Sequence, residues 1–289
     1  MVMRPDHSYI LTPEKNRKIF ITRIIPTYFI NAAHMKAPQL HVVGAQPGSG
    51  KTTIIRKITD DLKNRFGEYA VVSIVGDKFR AFHPHHQELL EIDASRAAFY
   101  TDADSGRWVE QAIALTAQQG NCVVIEGTLR NPETTIRTAS QYLNHDYSAH
   151  LHVLAVHEFE SRLRIFQRYF DQVERKGLGR YTLPEAHDRS YKVLPESIAA
   201  IMDSSLFKTV MLYDQEQTTI HDVNLPEKDA CRNILAVLEK CRENKNVNMK
   251  WMLMEIDNLI PKAKEHGGVY NDLLELREKV STCCEKANE

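Results

Sequence analysis

Along the chain, apolar residues gather in short runs bounded by glycine, proline and polar clusters, and between the runs they recur at helical spacing. Gln39 to Val43, Val71 to Val75, Cys122 to Ile125, His150 to Val156 and Thr209 to Tyr213 each read as a short buried strand. Helical patterns lie between and after them: Lys51 to Arg65 closed by Gly67, Arg107 to Gln119 stopped by Gly120, Glu158 to Val173, and Pro184 to Ala200. Strands alternating with helices predict an α/β fold, a parallel sheet with helices on both faces.

Two flanks have a different character. Residues 12–35 predict a helical preface: Thr12 can cap it, Pro13 suits its first turn, and Ile21, Ile24, Ile25, Tyr28 and Phe29 fall on one face, with Pro26 kinking or ending it. Beyond Leu225 the pattern is helical throughout, over Lys228 to Arg242, Met249 to Glu265 and Tyr270 to Val280, broken at Asn244, Asn246 and Asn248 and again at Gly267-Gly268. The expected division is a preface over 1–37, a core over 38–224 and a helical C-terminal extension over 225–289.

Composition narrows the partners. With 289 residues, 43% of them hydrophobic, the chain can bury one large α/β domain of about 200 residues plus appendages. The 37 basic and 38 acidic side chains nearly cancel, so neither nucleic acid nor a membrane surface is expected as a partner. The five cysteines form no CxxC pair and the adjacent Cys283 and Cys284 make poor disulfide material, which suits a reducing compartment. Arg4, Asp6 and His7 stand before apolar residues accumulate, and Ile19 to Ile30 is interrupted by Arg23 and Pro26, so neither a signal peptide nor a membrane span is expected. The expected location is the cytoplasm.

Directly after the first strand stands Ala45-Gln46-Pro47-Gly48-Ser49-Gly50-Lys51-Thr52-Thr53, a phosphate-binding loop with Ala at its first glycine position. Such a turn aims backbone N–H groups inward, so Gly48, Ser49, Gly50, Lys51, Thr52 and Thr53 are candidate nucleotide ligands. Lys51 would reach the outer phosphates and the Thr52 hydroxyl would ligate Mg²⁺, which makes ATP and Mg²⁺ the expected ligands. Carboxylates follow two of the strands, Asp77 after Val71 to Val75 and Glu126 after Cys122 to Ile125, where each could take a hydroxyl proton or hold Mg²⁺ through water. No Asn-Lys-x-Asp base-reading motif follows, and no strand ends in the Asp-Glu pair of motor ATPases, so a small-molecule kinase leads.

Several stretches together resemble the zeta-toxin family of P-loop kinases, the toxin halves of bacterial toxin–antitoxin pairs. They are GAQPGSGKTT, GDKFRAFHP from Gly76 to Pro84, VVIEGTLR from Val123 to Arg130, RYF around Arg168, and GRYTLPEAHD from Gly179 to Asp188. The resemblance runs from about residue 38 to 222 and implies a P-loop kinase core that phosphorylates the 3′-hydroxyl of UDP-N-acetylglucosamine, blocking peptidoglycan synthesis. By the same resemblance Lys51 and Thr52 meet ATP and Mg²⁺, Asp77 is the base, and Glu110, Glu126, Thr128 and Arg130 meet the sugar nucleotide. Arg168 and Arg180 clamp the transferring phosphoryl group, with Glu174 to Arg180 as a closing lid. Arg80 and His83 belong to the substrate side of the Asp77 segment, His83 shaping the loop, and Lys78 stands where a small hydroxyl residue is common. Trp108 is expected in the core.

Other readings remain open at this level. The acceptor could be another nucleotide sugar, a nucleotide or a different small hydroxyl compound, or the chain could be an interaction module that binds ATP to order a partner surface. The apolar stripes of the extension could pack on the core, the extension or the preface could occlude the nucleotide in cis, or the extension could dock a separate antitoxin protein.

Overall fold

The computed structural model describes residues 9–29, 33–93, 97–243 and 247–286. Arg4, Asp6, His7, Ile30, Asn244 and Asn246, all used in the sequence reading, lie outside the described residues. Six strands form one sheet: β1 (Gln39–Gly44), β2 (Val71–Ile74), β3 (Cys122–Gly127), β4 (Ser148–Leu154), β5 (Phe207–Tyr213) and β6 (Thr219–Asn224). Their order is β2-β3-β1-β4-β5-β6, parallel except for β6, which runs antiparallel along β5. The sequence reading anticipates the five parallel strands and misses β6. That strand is an edge on which only Val223 is buried, so it carries no apolar run.

Helices cover both faces: α1 (Pro13–Ile19), α2 (Ile25–Tyr28), α3 (Lys51–Phe66), α4 (Gly76–Phe79), α5 (His86–Asp93), α6 (Ala97–Gln119), α7 (Pro132–Leu143), α8 (Glu158–Lys176), α9 (Pro184–Asp203), α10 (Ala230–Cys241), α11 (Met249–Ala263) and α12 (Gly267–Lys286). The two-residue period of the strands divides their side chains between two cores. Leu40, Val42, Val123, Ile125, Leu151 and Val153 join the face packed by α6, α7 and α9, whereas Val43, Val124 and Leu154 meet Ile54, Ile58 and Leu62 of α3. A third cluster lies off the sheet, where Phe166, Phe170 and Tyr181 pack against Met252, Ile256, Leu273 and Leu276 of the extension.

The preface is held on α6 by polar contacts as well as by its apolar face. Buried Asp104 accepts from the Leu11 amide at 3.0 Å and from Asn16 Nδ2 at 2.7 Å, while Trp108 Nε1 donates to the Asn16 carbonyl at 2.9 Å. Trp108 is fully buried, as expected. The same contacts correct the start of α6, which begins at Ala97 rather than near Arg107. Asp102, Asp104, Ser105 and Gly106 read as a loop, but Asp104 is paired with Arg107 one turn on and with Leu11 and Asn16 of the preface, and the helix runs through them. Pro26 does not end the preface helix. A π turn over Phe20–Ile24 precedes it, and the chain stays helical to Tyr28.

Candidate active site

β1 lies between β3 and β4, so the chain leaves the middle of the sheet at a topological switch point, where a crevice opens beyond the strand ends. The phosphate loop occupies that point. Gly48 and Gly50 have φ of +79° and +97°, and a Cβ built on Gly48 would overlap the Ser161 carbonyl oxygen at the start of α8. Glycine is therefore required there by both conformation and space. The loop floors a cavity of about 680 Å³ whose walls carry Lys51, Asp77, Glu126, Arg130, Arg168 and Arg180.

Lys51 is buried at the head of α3, and its ammonium donates to the carbonyls of Ala45 (3.0 Å) and Gln46 (2.9 Å). The Glu126 carboxylate stands 4.0 Å away. Burial lowers the Lys51 pKa to about 8, the Glu126 and Asp77 charges resisting that shift while Arg168 and Arg180 add to it. Burial conversely raises Glu126, with Lys51 opposing.

Asp77 opens α4 directly after β2 and meets two guanidiniums, Arg80 Nε at 3.2 Å and Arg180 in a close ion pair. Burial alone would raise its pKa, but Arg180 and Arg80 outweigh that and hold the carboxyl below its usual range. Arg80 is itself fully engaged, donating to the Ala98 carbonyl (2.6 Å), Thr101 (3.0 Å) and Asp102 (2.6 Å). It orients Asp77 from the wall. The segment is braced from behind, where Phe79 packs on Tyr28 and Phe29 of the preface.

Arg168 projects from α8 and donates to Thr182 at 3.1 Å; burial, then the neighbouring Arg180, lowers its pKa to about 10. Arg180 comes from a strap between α8 and α9. The Nε atoms of both arginines are buried without a partner, donors left over beside the phosphate loop. The lid expected over Glu174 to Arg180 is corrected here: α8 continues through Lys176 and is capped by Gly177 in the left-handed conformation, so the strap covers only residues 177–183. It is tied down. The Arg180 amide donates to Gln172 Oε1 (2.8 Å), and the Tyr181 hydroxyl to Asp272 of α12 (2.8 Å).

Thr128 and Arg130 line the cavity and bond to each other at 3.1 Å, and Thr52 lines it too. Thr53 follows on the exposed side of the loop and Ser49 is buried beneath it, so neither side chain lines the cavity. Two expected substrate residues are not brought to it. His83 is buried 3.2 Å from the Tyr9 carbonyl and 3.4 Å from Asp104, and so braces the preface; Glu110 is exposed one helical turn beyond Gly106. Lys78 is likewise exposed and off the lining. The sequence reading missed Arg164, which lines the cavity and donates to the Gln215 carbonyl at 3.1 Å; its position one helical turn before Arg168 was the available signal. It also missed Leu129, whose positive φ of 53° turns its side chain onto Gly44, where any Cβ would collide with it.

The Thr52 hydroxyl and the Glu126 and Asp77 carboxylates, oxygen ligands suited to a hard cation, line the same cavity. The fit to a nucleoside triphosphate rests on the glycine cradle, Lys51 and the unpartnered guanidinium donors.

The zeta toxin family model matches residues 27–225. The chain belongs to the zeta toxin family. It is 30% identical over 192 residues to toxin zeta of Streptococcus agalactiae, covering 66% of this chain and 65% of that protein. It is 28% identical over 188 residues to toxin PezT of Streptococcus pneumoniae serotype 4, covering 65% of this chain and 72% of that protein. The match thus spans just under two thirds of the length of the Streptococcus agalactiae relative. Among solved structures, one from the PezAT chromosomal toxin–antitoxin system of Streptococcus pneumoniae superposes with a TM-score of 0.70 at 24% identity, over 92% of this chain and 99% of that one, which establishes the shared fold. Among the described residues no helix is long and apolar enough to cross a membrane.

Proposed function

We propose that this zeta toxin family member is an ATP-dependent kinase that transfers the γ-phosphate to a hydroxyl of a sugar nucleotide, with the 3′-hydroxyl of UDP-N-acetylglucosamine as the acceptor. The observation that carries the reading is the convergence of Asp77, Arg168 and Arg180 above the phosphate loop in one cavity. Phosphoryl transfer asks mainly for positioning and for cations around the equatorial oxygens, and two guanidiniums with spare donors meet that need. Lys51 and the loop amides hold the donor phosphates. Thr52 and Glu126 are the residues that would hold Mg²⁺, which when bound offsets the charge of those phosphates.

Asp77 accepts the acceptor's hydroxyl proton as the new oxygen–phosphorus bond forms and the bond to the ADP oxygen breaks. Its lowered pKa keeps it ionised, and a weak base suffices where the transition state is loose. Glu126, Thr128 and Arg130 form the acceptor wall. An antitoxin that covers this cavity belongs to the same reading, because neither the preface nor the extension contributes a lining residue among those described.

Mass spectrometry of UDP-N-acetylglucosamine incubated with the protein, ATP and Mg²⁺ tests the proposal. A product heavier by one phosphate is expected, lost in Asp77→Ala while Mg²⁺·ADP binding persists. Undiminished product from the variant removes Asp77 as the base, and no product from any sugar nucleotide removes the acceptor class.

A further inference from the structure

Beneath the phosphate loop runs a chain of buried polar groups that the chemistry above does not use. Gln46 Nε2 lies 3.3 Å from Ser161 Oγ, Ser161 Oγ lies 2.8 Å from His187 Nε2, and His187 Nδ1 lies 2.8 Å from Asp188 Oδ1. Arg162 completes it, donating through Nε to Asp188 Oδ1 at 3.0 Å and through Nη2 to the other carboxylate oxygen. Gln46, Ser161 and His187 are fully buried.

The direction of each bond follows from the groups present. Asp188, held below its usual range by Arg162 and His187 against the effect of burial, is ionised and only accepts. His187 Nδ1 therefore carries the proton, and Nε2 is a bare acceptor facing the Ser161 hydroxyl. The Ser161 hydroxyl also lies 3.0 Å from the His157 and Glu158 carbonyls, but at 2.8 Å it is the donor that bare Nε2 faces, so its one proton is directed there while its oxygen accepts from Gln46. The Gln46 amide is oriented by its second bond, Nε2 to the Val156 carbonyl at 2.8 Å. A Ser-His-Asp order at such distances is also that of a nucleophile triad, but none of the three lines the cavity and Ser161 is covered by Gly48.

What the chain connects gives it a role. At one end, the Gln46 carbonyl accepts from Lys51 Nζ at 2.9 Å. At the other, His187 and Asp188 lie in the first turns of α9, immediately after the strap that carries Arg180. Ser161 and Arg162 belong to α8, which carries Arg168. We infer that His187 is a positioning residue for phosphoryl transfer: through Ser161 and Gln46 it fixes the phosphate loop in register with the helices that deliver Arg168 and Arg180. A buried chain with one allowed direction suits this task, because a shift at either end leaves an unmet donor or acceptor at the other.

The inference rests on the phosphotransfer reading, and the test separates the two. Mg²⁺·ADP affinity, kcat and thermal midpoint are measured on the full chain for His187→Gln, Ser161→Ala, their double variant and Asp188→Asn. Expected is a loss of about tenfold in Mg²⁺·ADP affinity for His187→Gln, with a larger fall in kcat, since one broken buried bond is worth about that factor. Adding Ser161→Ala costs less than about twofold more, because residues of one network are not additive. Asp188→Asn, on a side chain half open to solvent, gives a smaller loss of the same kind with an intact fold. A folded Asp188→Asn or His187→Gln protein that binds Mg²⁺·ADP and turns over like the parent overturns the inference, as do losses that multiply in the double variant. If His187→Gln does not fold, Asp188→Asn decides alone. A parent chain that does not bind Mg²⁺·ADP instead overturns the phosphotransfer reading itself.

Discussion

The two walls of the cavity are built by different means. The phosphate-loop wall is backbone: glycines in left-handed conformation, a carbonyl of Ser161 where a Gly48 side chain would stand, and Lys51 pinned by two loop carbonyls. The arginine wall is side chains, Arg168 on α8 and Arg180 on a strap, and the strap is held by Gln172, Asp272 and the apolar cluster of the extension. The first wall depends on the conformation of a few adjacent residues and on the α8 carbonyl they pack against. The second depends also on Asp272 and its neighbours, about 90 positions away, which only a folded extension supplies. Donor binding should thus depend on the loop wall and the buried chain beneath it, and the rate of transfer should depend on the strap as well.

The sharpest way to break that contrast is Gly48→Ala. Backbone strain and the collision with Ser161 together cost on the order of 3 kcal/mol, so Mg²⁺·ADP affinity measured by calorimetry should fall by about 100-fold. An unchanged affinity would mean the loop can yield, and the backbone account would fail. Next in size is the pH response. The Lys51 pKa of about 8 is set by burial, and its charge is what the donor phosphates need. As pH rises through that value the free enzyme loses the charge, so kcat/KM for ATP should drop about tenfold per unit above pH 8, while the acidic limb set by Asp77 stays below the ordinary carboxylate range. A flat alkaline profile would show Lys51 titrating elsewhere.

The smallest effect probes the second wall alone. Tyr181→Phe removes the bond to Asp272 and about 1 kcal/mol, so kcat should fall by about fivefold with Mg²⁺·ADP affinity unchanged. A parallel loss of affinity would show that the two walls do not act separately. A rise in kcat in this variant would instead support an extension that inhibits the kinase in cis.

The legible parts of the sequence were those with local causes. Asn131, Pro132 and Glu133 show that even a missed element can carry such signals, since Asn131 caps α7 by accepting from the Glu133 amide at 3.1 Å. By contrast β6 and the first ten residues of α6 carry no apolar period that marks them; one borrows its order from β5 and the other largely from the preface partners of Asp104. Site residues divide likewise. Lys51, Asp77, Glu126, Thr128, Arg130, Arg168 and Arg180 do meet in one cavity, whereas His83 and Glu110 lie in the right segments but off the lining. A motif constrains a segment, and a side chain's direction depends on what packs behind it.

By itself, then, the sequence determined the alternation of strand and helix, the phosphate loop with its required glycines, and the carboxylates at two strand ends. Each follows from the period of apolar residues or from backbone conformations that few residues adopt. Only the tertiary structure decided that Asp77 sits between Arg80 and Arg180, that the strap is tied to α12, and that His187 reaches Gln46 through Ser161. Asp77 and Arg80 are neighbours on one turn, but the other contacts join residues 26 to more than 100 positions apart, and bonds of that kind form only after burial has brought the elements together and made an unpaired polar group costly.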